Sequence, residues 1–289
     1  MEMIQPVLQD DAFLEDVASA GREAEGTDRV HHWWLGQSGF LLQWRGHHLL
    51  LDPYLSDSLT RKYASTDKPH VRMTARVVDP ERLAFADVVT SSHNHTDHLD
   101  AETLGPLLRA NPEMRLVAPE ANRAFVAERL DVDAALPVGL DDGVAAAVGP
   151  FGITGVAAAH NSVERDEQGR CRFLGYLVRF GPWTLYHSGD SLWYSGMEER
   201  VRELAGGQPI DAALLPINGN VPERRVAGNL SGPEAARLAR AIGARMVMPM
   251  HYEMFTFNTA SPEPFVAEAE RIGQAYRVLR CGERWSSEG

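Results

Sequence analysis

Apolar positions near the start of the chain recur at helical spacing, with Val7, Leu8, Phe13, Leu14 and Val17 set among acids. They predict an amphipathic helix, closed by the polar stretch Glu25-Gly26-Thr27-Asp28. The period then shortens. Apolar runs at 32–35, 39–44 and 48–51 read as strands, the last two joined by a turn at Arg45-Gly46-His47. Trp33 and Trp34 point to opposite faces, so at least one belongs to the core. His31, His32, His47 and His48, at strand starts or in the turn, are expected at the surface. Residues 53–80 show no apolar period, and a connection of that length inside a compact domain is usually functional or mobile.

Beyond residue 86 strands alternate with helices. A strand at 87–91 precedes a histidine-rich turn and a helix at 101–109, followed by a strand at 114–118 and a helix at 121–130. Strands are expected at 153–158, 173–180 and 183–186. A strand at 212–216, a helix at 232–242 and a strand at 245–250 form a unit whose two strands must be parallel. A helix at 264–273 and a strand at 276–280 complete the pattern. Hairpins followed by strand–helix alternation, twice over, predict an α/β (α+β layered) chain with two mixed sheets packed face to face and helices outside. Residues 1–289 read as a single domain, with 1–28 a helical extension and 53–80 a long loop near the site.

Composition narrows the function. Over 289 residues the hydrophobic share is 44% and the net charge −12. That balance disfavours a protein that tracks nucleic-acid backbone, so no nucleic-acid partner is expected. No apolar run is long enough to span a bilayer, and the acidic start lacks the basic and apolar regions of a secretory signal. Two cysteines, Cys171 and Cys281, suit free thiols in a reducing compartment, which points to the cytoplasm and away from a membrane.

The segment Ser92-His93-Asn94-His95-Thr96-Asp97-His98-Leu99-Asp100 carries the chemistry. In extended backbone His93 and His95 point the same way and can grip one ion, while Asp97 and His98 reach a second position as the chain turns. Imidazole and carboxylate are ligands for zinc and other divalent first-row ions. Nothing about a strand-to-helix turn demands this spacing. Later strands each deliver a lone polar side chain to a strand end: His160, Asp190 and His251. Brought together, they complete His93/His95/His160 around one ion and Asp97/His98/His251 around another. The two carboxylate oxygens of Asp190 then bridge.

In this order the ligands resemble the metal-binding signature of the metallo-β-lactamase fold superfamily, over roughly residues 33–280. Trp33-Trp34-Leu35-Gly36-Gln37-Ser38-Gly39, Leu185-Tyr186-His187-Ser188-Gly189-Asp190-Ser191 and Met248-Pro249-Met250-His251 are similar to the L-ascorbate-6-phosphate lactonase-like branch. The resemblance implies a four-layer αββα sandwich of two mixed sheets. Histidine-rich ligation favours zinc and the branch points to manganese, so the cofactor expected is two divalent ions, zinc or manganese.

Two such ions share a hydroxide at neutral pH and polarise a substrate oxygen. The expected reaction is hydrolysis of a small, anionic ester, lactone or phosphoester, with a small molecule as partner and homo-oligomer formation left open. Asp97 is the candidate for orienting the nucleophile, and His187 for donating a proton to the leaving group or for holding Asp190. Asn218 and Asn220, in a strand-end turn, are candidates for hydrogen bonds to substrate. Lys62 and Lys68 are the only lysines among 28 basic residues. With Arg61, Arg72, Arg76 and His70, they form a basic island against the single acid Asp67. If that island folds over the metals, Lys68 and His70 receive an anionic group. A mononuclear-iron sulfur dioxygenase and a nuclease are the competing classes; metal content with oxygen uptake separates the first, and the acidic charge weighs against the second.

Overall fold

The computed structural model describes residues 2–287. After α1 (Asp10–Glu23) come β1 (Val30–Gly36), β2 (Gly39–Trp44), β3 (His47–Leu51), α2 (Ser58–Tyr63), β4 (Val88–Thr90), α3 (Ala101–Ala110), β5 (Arg115–Pro119), α4 (Arg123–Leu130) and β6 (Val138–Leu140). There follow β7 (Ala145–Val148), β8 (Phe151–Ala157), β9 (Leu174–Phe180), β10 (Trp183–His187), α5 (Met197–Ala205), β11 (Ile210–Pro216), α6 (Gly232–Ala241), β12 (Ala244–Met250), α7 (Glu263–Ile272) and β13 (Arg284–Ser286).

The strands form two mixed sheets, in the orders β13-β1-β2-β3-β4-β5-β6 and β12-β11-β10-β9-β8-β7. Each is antiparallel through its hairpins and becomes parallel at one side, from β3 through β6 and from β10 through β12. The β2–β3 hairpin closes on Arg45 and Gly46, both at positive φ (48° and 80°), the two-residue geometry whose twist matches the flanking strands. α6 starts at a reciprocal cap, with the Ser231 amide donating to Glu234 at 2.8 Å. α1 packs on β2, α4 packs on β5 with α3 beside it, and α5 and α6 lie on the second sheet, with α7 packed on α6.

One hydrophobic core joins the two inner faces. Trp44 of β2 meets Phe180 of β9 with ring centres 5.7 Å apart. Trp33 and Trp34 are both buried, and each contributes on the order of 3 kcal/mol by leaving water. Trp33 spends its indole N–H on Asp16 of α1, at 2.8 Å. Both thiols are free and buried, which raises Cys171 to about 11 and Cys281 to about 12. No helix among the described residues is long and apolar enough to cross a membrane.

Three expectations need correction. His31 and His32 are buried, because β13 adds outside β1 and pairs His31 with Ser286 and His32 with Trp285. His48 is half-buried against Gln43, and only His47 is exposed. The strand expected at 276–280 is a single bridge from Tyr276 to Val247; the last strand is β13, in the other sheet. Residues 53–80 hold a helical turn, α2, and short bridges tie Thr74 to Ile4 and Arg72 to Phe255.

Candidate metal centre

Every chemically notable side chain comes from the same edge of the paired sheets. Residues 93–98 follow β4, while His160 follows β8, Asp190 follows β10 and His251 follows β12. The turn after β4 is shaped locally: the His98 and Leu99 amides donate to the His95 carbonyl at 3.1 and 2.8 Å. Asp100 then caps α3 and accepts the Thr103 hydroxyl at 2.6 Å. Arg129 of α4 grips this turn from outside, donating to the Asn94 carbonyl at 2.6 Å. The Ser191 hydroxyl accepts the Ala159 amide at 3.0 Å, which locks the end of β8 to the end of β10. Gly189 makes a close approach. It sits at φ 58°, and a Cβ there would lie 2.6 Å from the Leu174 carbonyl oxygen and 2.8 Å from Ser92 Cβ.

Two ligand sets result. Ligand atoms of His93, His95 and His160 lie within 4.8 Å of one another, and so do those of Asp97, His98, Asp190 and His251. Asp190 stands between them. Its Oδ2 is 3.5 Å from His160 Nε2 and 3.3 Å from His251 Nε2, and its Oδ1 is 3.3 Å from His98 Nε2. Asp97 Oδ2 is 3.7 Å from His98 Nε2 and 3.6 Å from His251 Nε2.

The donor set fits divalent cations. His93 Nε2, His98 Nε2 and Asp190 Oδ1 are buried and take no hydrogen bond among the described residues. A buried polar atom left so costs about 1–3 kcal/mol. Three such atoms, one in the first set and two in the second, fit cations held between the sets' side chains. Burial, reinforced by the neighbouring imidazoles, holds His93 well below 6.5, and His95 falls to about 4 although its ring opens to solvent; both are neutral imidazoles of the kind that could hold a cation. In the second set burial works against charge but is outweighed. The carboxylates of Asp190 and Asp97 raise His98 well above 6.5 and His251 to about 9, and the two imidazoles hold both carboxyls well below 3.8.

Neighbours fix the ligands in place. His160 Nδ1 donates to the Gly228 carbonyl at 2.9 Å. Asp52, at the end of β3, lies 2.7 Å from His98 Nδ1. Gln37, in the β1–β2 turn, donates to Asp97 Oδ2 at 2.8 Å, with His251 Nε2 at 2.9 Å. Neither Asp52 nor Gln37 is evident as a site residue in the sequence: one reads as a strand exit before Pro53, the other as a hairpin turn. The available signal is backbone geometry. Gln37, Asp52 and His251 all have positive φ (50°, 40° and 67°), and such strain in non-glycine residues gathers at functional sites.

A cavity of about 390 Å³ opens over the ligands, with Leu59, Tyr63 and Phe255 as apolar wall. Lys62, Lys68 and His70 line it, so the 53–80 segment does reach the site. The basic island divides. Arg61 pairs with Glu102, Arg72 with Asp57 and Arg76 with Asp79. Lys62 instead donates to the Thr96 hydroxyl at 3.1 Å and Lys68 to the Arg225 carbonyl, and neither has a carboxylate partner among the described residues. His70 packs on Tyr63 with ring centres 4.5 Å apart.

Three expected contacts lie elsewhere. His187 is fully buried, donates from Nε2 to the Ser38 carbonyl at 2.9 Å and accepts the Gly189 amide on Nδ1. With both nitrogens on backbone it ties β10 to the Gln37 turn and has no proton for a leaving group or hydrogen bond to Asp190. Asn218 is buried in an amide chain with Asn258 and Asn229. Asn220 is exposed and packs beside Gly228, outside the cavity lining.

Comparison with known proteins agrees with this architecture. Residues 47–252 match the model of the beta-lactamase superfamily domain. A UPF0173 metal-dependent hydrolase from Opitutus terrae is 32% identical over 256 residues, covering 86% of this chain and 96% of the relative. A second, from Rubrobacter xylanophilus, is 28% identical and covers 92% and 99%. Among solved structures, the metallo hydrolase Igni18 from Ignicoccus hospitalis has a TM-score of 0.64 at 22% identity, over 90% of this chain and 99% of that one, which bears on the fold. The matched residues carry the ligand turn and all three later strand-end ligands, so the chain belongs to the β-lactamase superfamily, in the family of UPF0173 metal-dependent hydrolases.

Proposed function

We propose that this hydrolase uses two divalent ions, zinc or manganese, on a small anionic ester, lactone or phosphoester in the cytoplasm. The observation that carries this reading is Asp190, whose carboxylate faces both ligand sets at the floor of a cavity walled by two lysines without carboxylate partners among the described residues. His93, His95 and His160 would hold one ion, Asp97, His98 and His251 the other, and Asp190 would touch both. When bound, the ions acidify a water and polarise the scissile group.

The chain's own residues do the rest. Asp97, at the cavity edge, orients the attacking water. Lys62 and Lys68 draw an anion in and hold it by charge, while Leu59, Tyr63 and Phe255 exclude water around the substrate's body. Lactones stand first among the substrates: the segments resembling the lactonase-like branch supply Gln37, Asp190 and His251, on three sides of the floor. The test is a panel of lactones, carboxylic esters and phosphodiesters, each with and without a remote anionic group, assayed after zinc or manganese loading. Hydrolysis of an anionic member, abolished by chelation, is expected. A single iron per chain with oxygen uptake and no hydrolysis overturns the reading.

A further inference from the structure

Gln37 occupies an unusual place. Its backbone is held at φ 50°, a left-handed conformation that side chains other than glycine adopt at a cost. Its carbonyl oxygen accepts two bonds, from Trp34 Nε1 at 3.0 Å and from the His251 amide at 2.9 Å. The side chain is buried, and its amide nitrogen lies between Asp97 Oδ2 and His251 Nε2, at 2.8 and 2.9 Å. Those atoms belong to one ligand set. The N–H₂ group therefore stands beside the place a cation shared by Asp97 and His251 would take. A half-turn of the amide exchanges Oε1 for Nε2, so that the oxygen faces that place, with no movement of the backbone. An amide oxygen is a neutral, hard donor of the kind that suits manganese, magnesium and calcium better than zinc.

We propose that Gln37 ligates, through Oε1, the cation held by Asp97, His98, Asp190 and His251, and that this oxygen tilts that position toward manganese over zinc. The strained turn is then explained: it aims a side chain of the β1–β2 hairpin at the ligand set. On ligation the amide turns, and the bond from Nε2 to Asp97 gives way to Oε1 on the ion.

The assignment rests on the reading that this set holds a cation, and the test separates the two. Chelator-stripped protein is titrated with manganese, followed by loss of the free-ion electron paramagnetic resonance signal, and with zinc, against a chromophoric chelator. Wild type, Gln37→Leu, Gln37→Glu and His251→Ala are compared. Gln37→Leu should weaken manganese at one position by about 10–100-fold and zinc by less, with the other position unchanged. Gln37→Glu, which adds a charge to the same oxygen, should tighten manganese. Two ions in wild type with unchanged constants in Gln37→Leu, or in Gln37→Glu if the leucine variant does not fold, overturn the Gln37 assignment alone. A single wild-type ion that His251→Ala leaves in place refutes the two-ion reading, and the Gln37 assignment with it.

Discussion

Replacing Asp52 with Asn tests how the structure prepares His98. Asp52 is fully buried. Its Oδ1 accepts the Thr90 hydroxyl at 2.7 Å, both oxygens accept the Ser92 amide at 3.1 Å, and Oδ2 faces His98 Nδ1 at 2.7 Å. Burial alone would raise its pKa, but the bond from His98 and the nearby imidazole charges outweigh burial and keep it ionised. The carboxylate thereby fixes the proton on Nδ1 and turns the Nε2 lone pair toward Asp97 and Asp190. Asparagine keeps an oxygen for Thr90 and Ser92 but offers an N–H₂ to Nδ1. The imidazole proton must then move to Nε2, into the ligand set. Affinity for the ion at that set should fall by about 10–100-fold, or about 1.4–2.7 kcal/mol. The metal-free protein should lose about 1.5–3 kcal/mol of stability with the charged hydrogen bond. Chelator-competition titration gives the first quantity and denaturant unfolding the second. Wild-type affinity at both positions in Asp52→Asn would refute the argument.

Other outcomes follow from the same contacts. Neutralising Lys62 and Lys68 together should raise KM for an anionic substrate by about tenfold or more while elemental analysis finds the metal content unchanged; an unchanged KM retires their role. Burial holds His32 at about 3, below its unfolded value of 6.5, so the unfolded chain binds the extra proton and stability falls as pH drops through that window. The His32 ring makes no hydrogen bond among the described residues, so His32→Leu should stabilise the fold at pH 5 by about 2 kcal/mol relative to its effect at pH 8, and parallel pH–stability curves would contradict this. Gly189→Ala should destabilise the protein by about 1–3 kcal/mol or more, because its Cβ meets Leu174 and Ser92; an unchanged Tm counts against the close approach.

The ligand turn is legible in the sequence because three histidines and an aspartate in six residues serve no purpose in an ordinary strand-to-helix turn. His160, Asp190 and His251 can be found because each is a polar residue at the exit of an apolar strand. The layered fold follows from the same alternation of runs. What sequence conceals is whatever depends on a partner remote in the chain. His31 and His32 look solvent-facing until β13, some 250 residues later, covers them. Gln37 and Asp52 look like ordinary turn and strand-exit residues, and only the folded edge brings them against His251 and His98. Asn218, Asn220 and His187 show the opposite error. Strand-end position places a residue near the edge, but the backbone groups and amides already there decide which way it faces.

Anomalous diffraction from crystals loaded with manganese, and separately with zinc, tests the central claim most directly. Data collected on each side of the metal's absorption edge locate the ions without assumption. Two peaks are expected, one among His93, His95 and His160 and the other among Asp97, His98, Asp190 and His251, with the Asp190 carboxylate between them. A single peak, or peaks away from these residues, would contradict the claim.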